Sequence, residues 1–197
     1  MFRCWRYRWE FFCVGNSFDV WASDDINQYF DDDAIIIESS DDIQDEYDCV
    51  DGTYIEIIDE DEDLYMEYDL STESVLTSNN SSVKKLLKSS KTNSKILYSN
   101  VSLSKSGKCI FSSSMTTPYY YNGTYVWISG ADLVSTCSSG TTRTSVTDSF
   151  PRSKVSYSCA RMLYATYSTP YGTYDITQYM YCNPNGVNGQ SDSSKKR

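Results

Sequence analysis

The second half of the chain is cut into short β-prone pieces, and this limits what it can fold into. "KILYSNVSLS" (95–104) stops at "KSG", "KCIFSSSMT" (108–116) stops at "TPYYYNG", and "TYVWISG" (124–130) leads into "DLVSTCSSG" (132–140). "TTRTSVTDS" (141–149) stops before Pro151, "KVSYSCARMLYATYS" (154–168) before Pro170-Tyr171-Gly172, and "TYDITQYMYC" (173–182) before "NPNG". β-Branched and aromatic side chains, common in these pieces, fit a pleated, half-buried surface. Seven such pieces with turn signals between them are the sequence form of an antiparallel β-sandwich or barrel. Alternation agrees: Tyr174, Ile176, Met180 and Cys182 share one face of the last piece, and Val155, Tyr157, Cys159, Leu163 and Tyr167 align in the sixth. The expected fold class is all-β, an antiparallel sandwich over residues 95–184.

What precedes that span differs in kind. Residues 24–73 carry 21 carboxylates and no lysine or arginine, whereas 84–197 carry 14 basic side chains and four acidic ones. Dense charge of one sign with few apolar residues does not offset the entropy of ordering a chain. Residues 23–94 are therefore expected to be an acidic, largely disordered leader that ends in a basic linker. Its clusters "AIII" (34–37), "YIEII" (54–58) and "LYMEY" (64–68) are strand formers that would order against a partner. Lys84 and Lys85 form a dibasic pair of the kind cut in processing. Residues 185–197, "NGVNGQSDSSKKR", read as a flexible basic tail. Residues 1–22 have the order of a degenerate secretory signal: three arginines, the apolar "FFCVG", then a small residue before "SDD".

Seven cysteines stand at 4, 13, 49, 109, 137, 159 and 182, with no C-x-x-C pair among them. The even set Cys109, Cys137, Cys159 and Cys182, widely spaced in a polar β-rich span, reads as a disulfide framework in an oxidising compartment. The alternative is buried free thiols. Of the three possible pairings, 109–159 and 137–182 is the one expected. Cys109, then Trp127, then "SYSCAR" with Tyr157 two residues before Cys159, loosely resembles the Cys–Trp–Cys order of immunoglobulin-like domains. That resemblance covers about half the chain and implies a sandwich.

Several function classes drop out. With no histidine, Ser-His-Asp and Cys-His units, His-ligated metals and histidine pH switches are excluded. No run of 18 apolar residues exists to span a bilayer as a helix. Paired carboxylates do acid–base work only on a scaffold that separates their pKa values, so no catalytic residue, metal site or cofactor is expected. "DEDED" (59–63) lacks the glycine and ligand spacing of an EF-hand loop. Nucleic acid is disfavoured as a partner, because the carboxylates oppose phosphate contact.

The interaction-like segment is "PYYYNGTY" (118–125). Tyrosine offers large contact area at low entropy cost, and three in a row cannot all face inward on a strand. Tyr119, Tyr120, Tyr121 and the turn residue Tyr171 are the candidate binding residues. The function expected is a secreted, non-enzymatic binding domain for a protein, glycan or anionic cell-surface partner. The acidic leader would mask it by facing Lys105, Lys108, Arg143, Arg152, Lys154 and Arg161. Two alternatives remain. "AIIIESSDD" (34–42) and "YIEIIDEDED" (54–63) resemble SUMO-interacting motifs, which add a strand to a sheet edge in an intracellular adaptor. A cationic toxin or bacteriocin with an acidic pro-segment is the other.

Overall fold

The structure, a computed structural model, describes residues 35–37, 51–75 and 92–197. Their strands are β1 (Ile35–Ile37), β2 (Gly52–Asp59), β3 (Leu64–Val75), β4 (Asn93–Lys105), β5 (Lys108–Tyr121), β6 (Val126–Ile128), β7 (Asp132–Cys137), β8 (Thr142–Ser149), β9 (Cys159–Thr169), β10 (Gly172–Cys182) and β11 (Asn188–Lys196). The larger sheet runs β1-β2-β3-β4-β5, with β6 and β7 sharing the far edge of β5. The smaller sheet runs β11-β10-β9-β8. All pairings are antiparallel except β1 with β2. The two sheets face each other in a sandwich-like arrangement, β4 and β5 against β9 and β10, with β11 over β3 and β4.

All seven expected strands are present, as β4 to β10. The "KSG" break works as expected: Ser106 and Gly107 take φ of 47° and 70°, the two positive values of a tight hairpin turn. Alternation sends Phe111, Met115 and Tyr119 inward from β5 and Tyr174, Ile176, Met180 and Cys182 inward from β10, all fully buried. They fall into two apolar clusters. One, at the β4–β5 turn end, includes Tyr68, Val101, Phe111, Tyr167, Tyr174 and Ile176. Phe111 and Tyr167 stack there with centroids 4.1 Å apart. The other, at the opposite end, includes Leu97, Met115, Tyr119, Val126, Leu163 and Met180.

A polar seam separates the clusters. Ser113 Oγ donates to Gln178 Oε1 at 2.7 Å, and Gln178 Nε2 donates to the Ser113 carbonyl at 3.1 Å and to Ser99 Oγ. Ser99 Oγ in turn donates to Asp192 Oδ2 at 2.6 Å. Beside it Tyr68 Oη lies 2.6 Å from Glu56 Oε2 and 2.9 Å from Ser194 Oγ. Gln190 Oε1 and Asp192 Oδ1 are buried without a partner among the described residues. Burial pushes the Asp192 carboxyl up to about 7, against hydrogen bonds from Ser99 and the Tyr179 amide, and the charge of Asp69 adds to the rise.

The folded region extends past the span expected for it. β2 and β3 come from the expected leader, and β3 pairs with β4 through twelve residues. Apolar and acidic residues alternate there, so Leu64, Met66, Tyr68 and Leu70 are buried while Glu67, Asp69 and Glu73 take the other face. β11 comes from the expected tail. It has no apolar side chain, and is held by its ladder with β10 and by the seam.

The disulfide expectation is overturned: Cys109, Cys137, Cys159 and Cys182 are all free thiols. Cys109 and Cys137 belong to the β4–β5 turn end, and Cys159 and Cys182 face each other in register beside the second cluster. The expected partners are therefore separated by about ten strand residues, roughly 33 Å, against a Cα limit near 7 Å for a bridge. The immunoglobulin-like details also differ. Trp127 flanks the core instead of filling it, and Tyr157 is 70% exposed. Cys4, Cys13, Cys49, Lys84, Lys85 and residues 1–22 lie outside the described residues.

Two outcomes follow. Limited trypsin cleavage at Lys84 or Lys85 should give fragments that co-elute natively and separate in concentrated guanidinium, because the β3–β4 ladder joins them. Release of the acidic fragment under native conditions would refute that pairing. The second outcome concerns pH. Asp192 binds its proton more tightly folded than unfolded, so its contribution to stability is complete below about pH 4 and is lost as pH rises to about 7. Thermal midpoints across that window should therefore decline more steeply for the native chain than for Asp192→Asn; parallel curves would place the proton elsewhere.

Candidate functional site

At the end of the sandwich formed by the C-terminal end of β5, the "PYYY" run continues the strand to residue 121, where a turn was expected. The three tyrosines therefore part ways. Tyr119 is fully buried and its hydroxyl donates to the Met180 carbonyl at 2.9 Å, so it belongs to the core. Tyr121 packs on the second cluster from its margin. Tyr120 points outward and stacks on Trp127, its cross-strand neighbour on β6, at 5.8 Å and 17°. The Lys154 ammonium lies 4.1 Å from the indole centroid, brought there by the bridge between Val126 and Val155. Across this end the order is Tyr120, Trp127, Lys154.

The flanking loops are fastened. Asn122 Oδ1 accepts from the amides of Thr124 and Tyr125 at 3.1 and 2.9 Å. Asn183 Oδ1 accepts from those of Asn185 and Val187 at 2.9 and 3.0 Å. The Gly123 amide donates to the Pro184 carbonyl at 2.8 Å, joining the loops. Lys95 Nζ donates to the Gly186 carbonyl and Asn188 Oδ1, both at 2.7 Å. On this base stand three exposed large side chains, Tyr125 at 44%, Tyr157 at 70% and Val187 at 57%.

Tyr171 is not part of this group. It sits at the other end, packed on the first cluster with Lys105 over its ring at 4.7 Å. That end also carries the β2–β3 hairpin "DEDED", where Glu62 pairs with Lys105. Of the six cations expected to meet the acidic leader, Lys105 does so; Arg161 is taken by Asp148. Of the two segments resembling SUMO-interacting motifs, 54–63 is engaged, since β2 is paired on both sides, by β1 and β3, while β1 in 34–42 is the edge strand and pairs with β2. A strand already paired twice cannot add to another sheet. Sequence reading named Trp127 for its place between cysteines and Lys154 as a cation facing the leader, and neither as a binding residue. Trp127 was accessible to it: in "VWI", with Val126 and Ile128 inward, period-two alternation turns the indole outward. Lys154 depended on a bridge outside any strand.

Burial pushes the Cys159 and Cys182 thiols up to about 11 and about 12, which leaves them protonated and weakly nucleophilic. Among the described residues no group of three or more His, Cys, Asp and Glu is placed to hold a metal ion, and no helix is long and apolar enough to cross a membrane.

Gly186 is where this end is most sensitive. Its φ is +82°, and a Cβ there would overlap the Tyr121 ring. Gly186→Ala should lower stability by about 1–3 kcal/mol and loosen the 183–187 loop, seen as faster amide exchange at Gly123 and Val187. Unchanged exchange and melting would show that the two loops are not coupled.

Compared with known proteins, the chain matches no family model, no curated protein and no solved structure.

Proposed function

We propose that this all-β domain is a non-catalytic binding module whose contact surface is the end built around Tyr120, Trp127 and Lys154. One observation carries the reading: the Tyr120–Trp127 stack on β5 and β6 stands beside exposed Tyr125 and Val187, whose loops are tied together by the Gly123–Pro184 hydrogen bond. Contact groups held rigid before binding lose less entropy on association, and aromatic residues dominate interface energetics. Protonated buried thiols and the lack of a metal-binding group among the described residues favour recognition over turnover. The cell surface, as suggested by the signal-like order of residues 1–22, is the setting proposed for it.

The test is a printed array of glycans and protein ectodomains probed with the labelled full-length chain. At least one feature should bind saturably, and the double variant Tyr120→Ala/Trp127→Ala should weaken it tenfold or more, about 1.4 kcal/mol. Val134→Ala, at the exposed β7 edge, should bind as the native chain does. No bound feature, or equal binding by the double variant with its melting transition intact, rejects the surface.

A further inference from the structure

We propose that the Tyr120–Trp127–Lys154 end takes a glycan that carries a carboxylate. This rests on the binding-surface reading above and adds the chemistry of the partner.

The first argument is the state of Lys154. A lysine on a surface usually has a mobile four-carbon stem, and ordering it opposes binding. Here the ammonium is already held over the indole, which keeps its charge and leaves its N–H donors for an anion. Lys154 and its neighbour Arg152 form no ion pair among the described residues. The carboxylates of the 59–63 hairpin are at the opposite end, beside Lys105 and Ser106. An anionic group approaching Trp127 therefore meets unpaired positive charge in a chain of net charge −10.

The second argument is the company Lys154 keeps. The segments next to Val126, Val155 and the tied loops carry the phenols of Tyr125 and Tyr157, the Thr124 and Ser129 hydroxyls and the Asn185 amide, all exposed. These groups both donate and accept hydrogen bonds, as hydroxyl-rich sugars require, and the Tyr120–Trp127 stack adds an aromatic edge. One pinned ammonium suits a single carboxylate better than a polyanion, whose affinity would come from many exposed charges and fall steeply with salt.

The test uses the full chain with sialyllactose, lactose and a heparin oligosaccharide, read by saturation-transfer NMR and titration. Sialyllactose should bind about tenfold more tightly than lactose. Lys154→Gln should bring it down to the lactose level, Lys154→Arg should keep most of the difference, and Trp127→Ala should weaken both sugars. Equal affinity for sialyllactose and lactose, or a silent Lys154→Gln, overturns the carboxylate assignment. So does binding confined to heparin and insensitive to Trp127. If these sugars fail while the double aromatic variant still abolishes array binding to a protein feature, the binding surface stands and its glycan chemistry is wrong. Thermal melting of each variant separates loss of contact from loss of fold.

Discussion

A carboxyl group shut away from bulk solvent lies between the two sheets, and the sheet packing is arranged to accommodate it. Asp192 belongs to a strand with no apolar side chain, yet that strand covers the inner faces of β3 and β4. Burying polar groups costs free energy unless each finds a partner. The chain Ser113–Gln178–Ser99 reaches Asp192, Tyr68 and Glu56 meet Ser194, Asp51 accepts from Gln190, and the proton that burial favours on Asp192 reduces the charge to be buried. The same geometry fixes register. The Gln178 amide reaches both Ser99 and Ser113 only when β10 faces β4 and β5 as it does here. A slip of one residue would turn it to the outside and bring Tyr179 in.

Arg161 has the same role at the open side of the sandwich. Its guanidinium is buried and forks onto Asp148 at 2.9 and 2.7 Å. Nη1 meanwhile contacts the Thr116 carbonyl, the Thr117 hydroxyl and the Asp132 carbonyl at 2.8–3.1 Å. One side chain on β9 thus ties β8 in its own sheet to β5 and β7 in the other. A bidentate, fully hydrogen-bonded arginine is the form in which a buried charge is tolerable. β8, exposed along its whole length, depends for its place on this contact and on its ladder with β9. The seam and the Arg161 clamp are both polar, so the sandwich is specified as much by hydrogen-bond direction as by apolar burial.

This explains what the sequence made legible. Strands β4 to β10 announce themselves through period-two patterning and turn residues, and Tyr174, Ile176, Met180 and Cys182 point where alternation sends them. β3 carries the same alternation, with acids on one face and Leu64, Met66, Tyr68 and Leu70 on the other, whereas β2 is apolar on both faces and turns Glu56 inward to Tyr68. Averaging charge over fifty residues hides it. β11 is different, because "NGQSDSSKK" has no pattern to read. Its burial depends on Ser99, Gln178 and Tyr68, residues distant in the chain. The cysteines were misread for a related reason. Spacing along a chain of antiparallel strands says nothing about which end of the sandwich each one reaches.

The two ends have separate electrostatic characters, and this follows from connectivity. The β2–β3 hairpin and the β4–β5 turn lie side by side, so the "DEDED" run and the Lys105 that answers it share one end. The other end receives the strand exits at Tyr121 and Cys182 and the bridge from Val155, which bring the aromatic run, the asparagine-fastened loops and Lys154 together. On the outer face of the larger sheet, polar side chains are engaged with neighbours: Asp69 accepts from Thr53 at 2.7 Å, and Ser112 and Ser114 both donate to Asn100 Oδ1 at 2.7 Å. At the aromatic end the loop side chains point their acceptors back at the backbone, leaving rings, hydroxyls and an ammonium facing out. A sandwich whose interior fixes its register so firmly can hold such a surface at its margin, where Tyr120, Trp127 and Lys154 pack on one another.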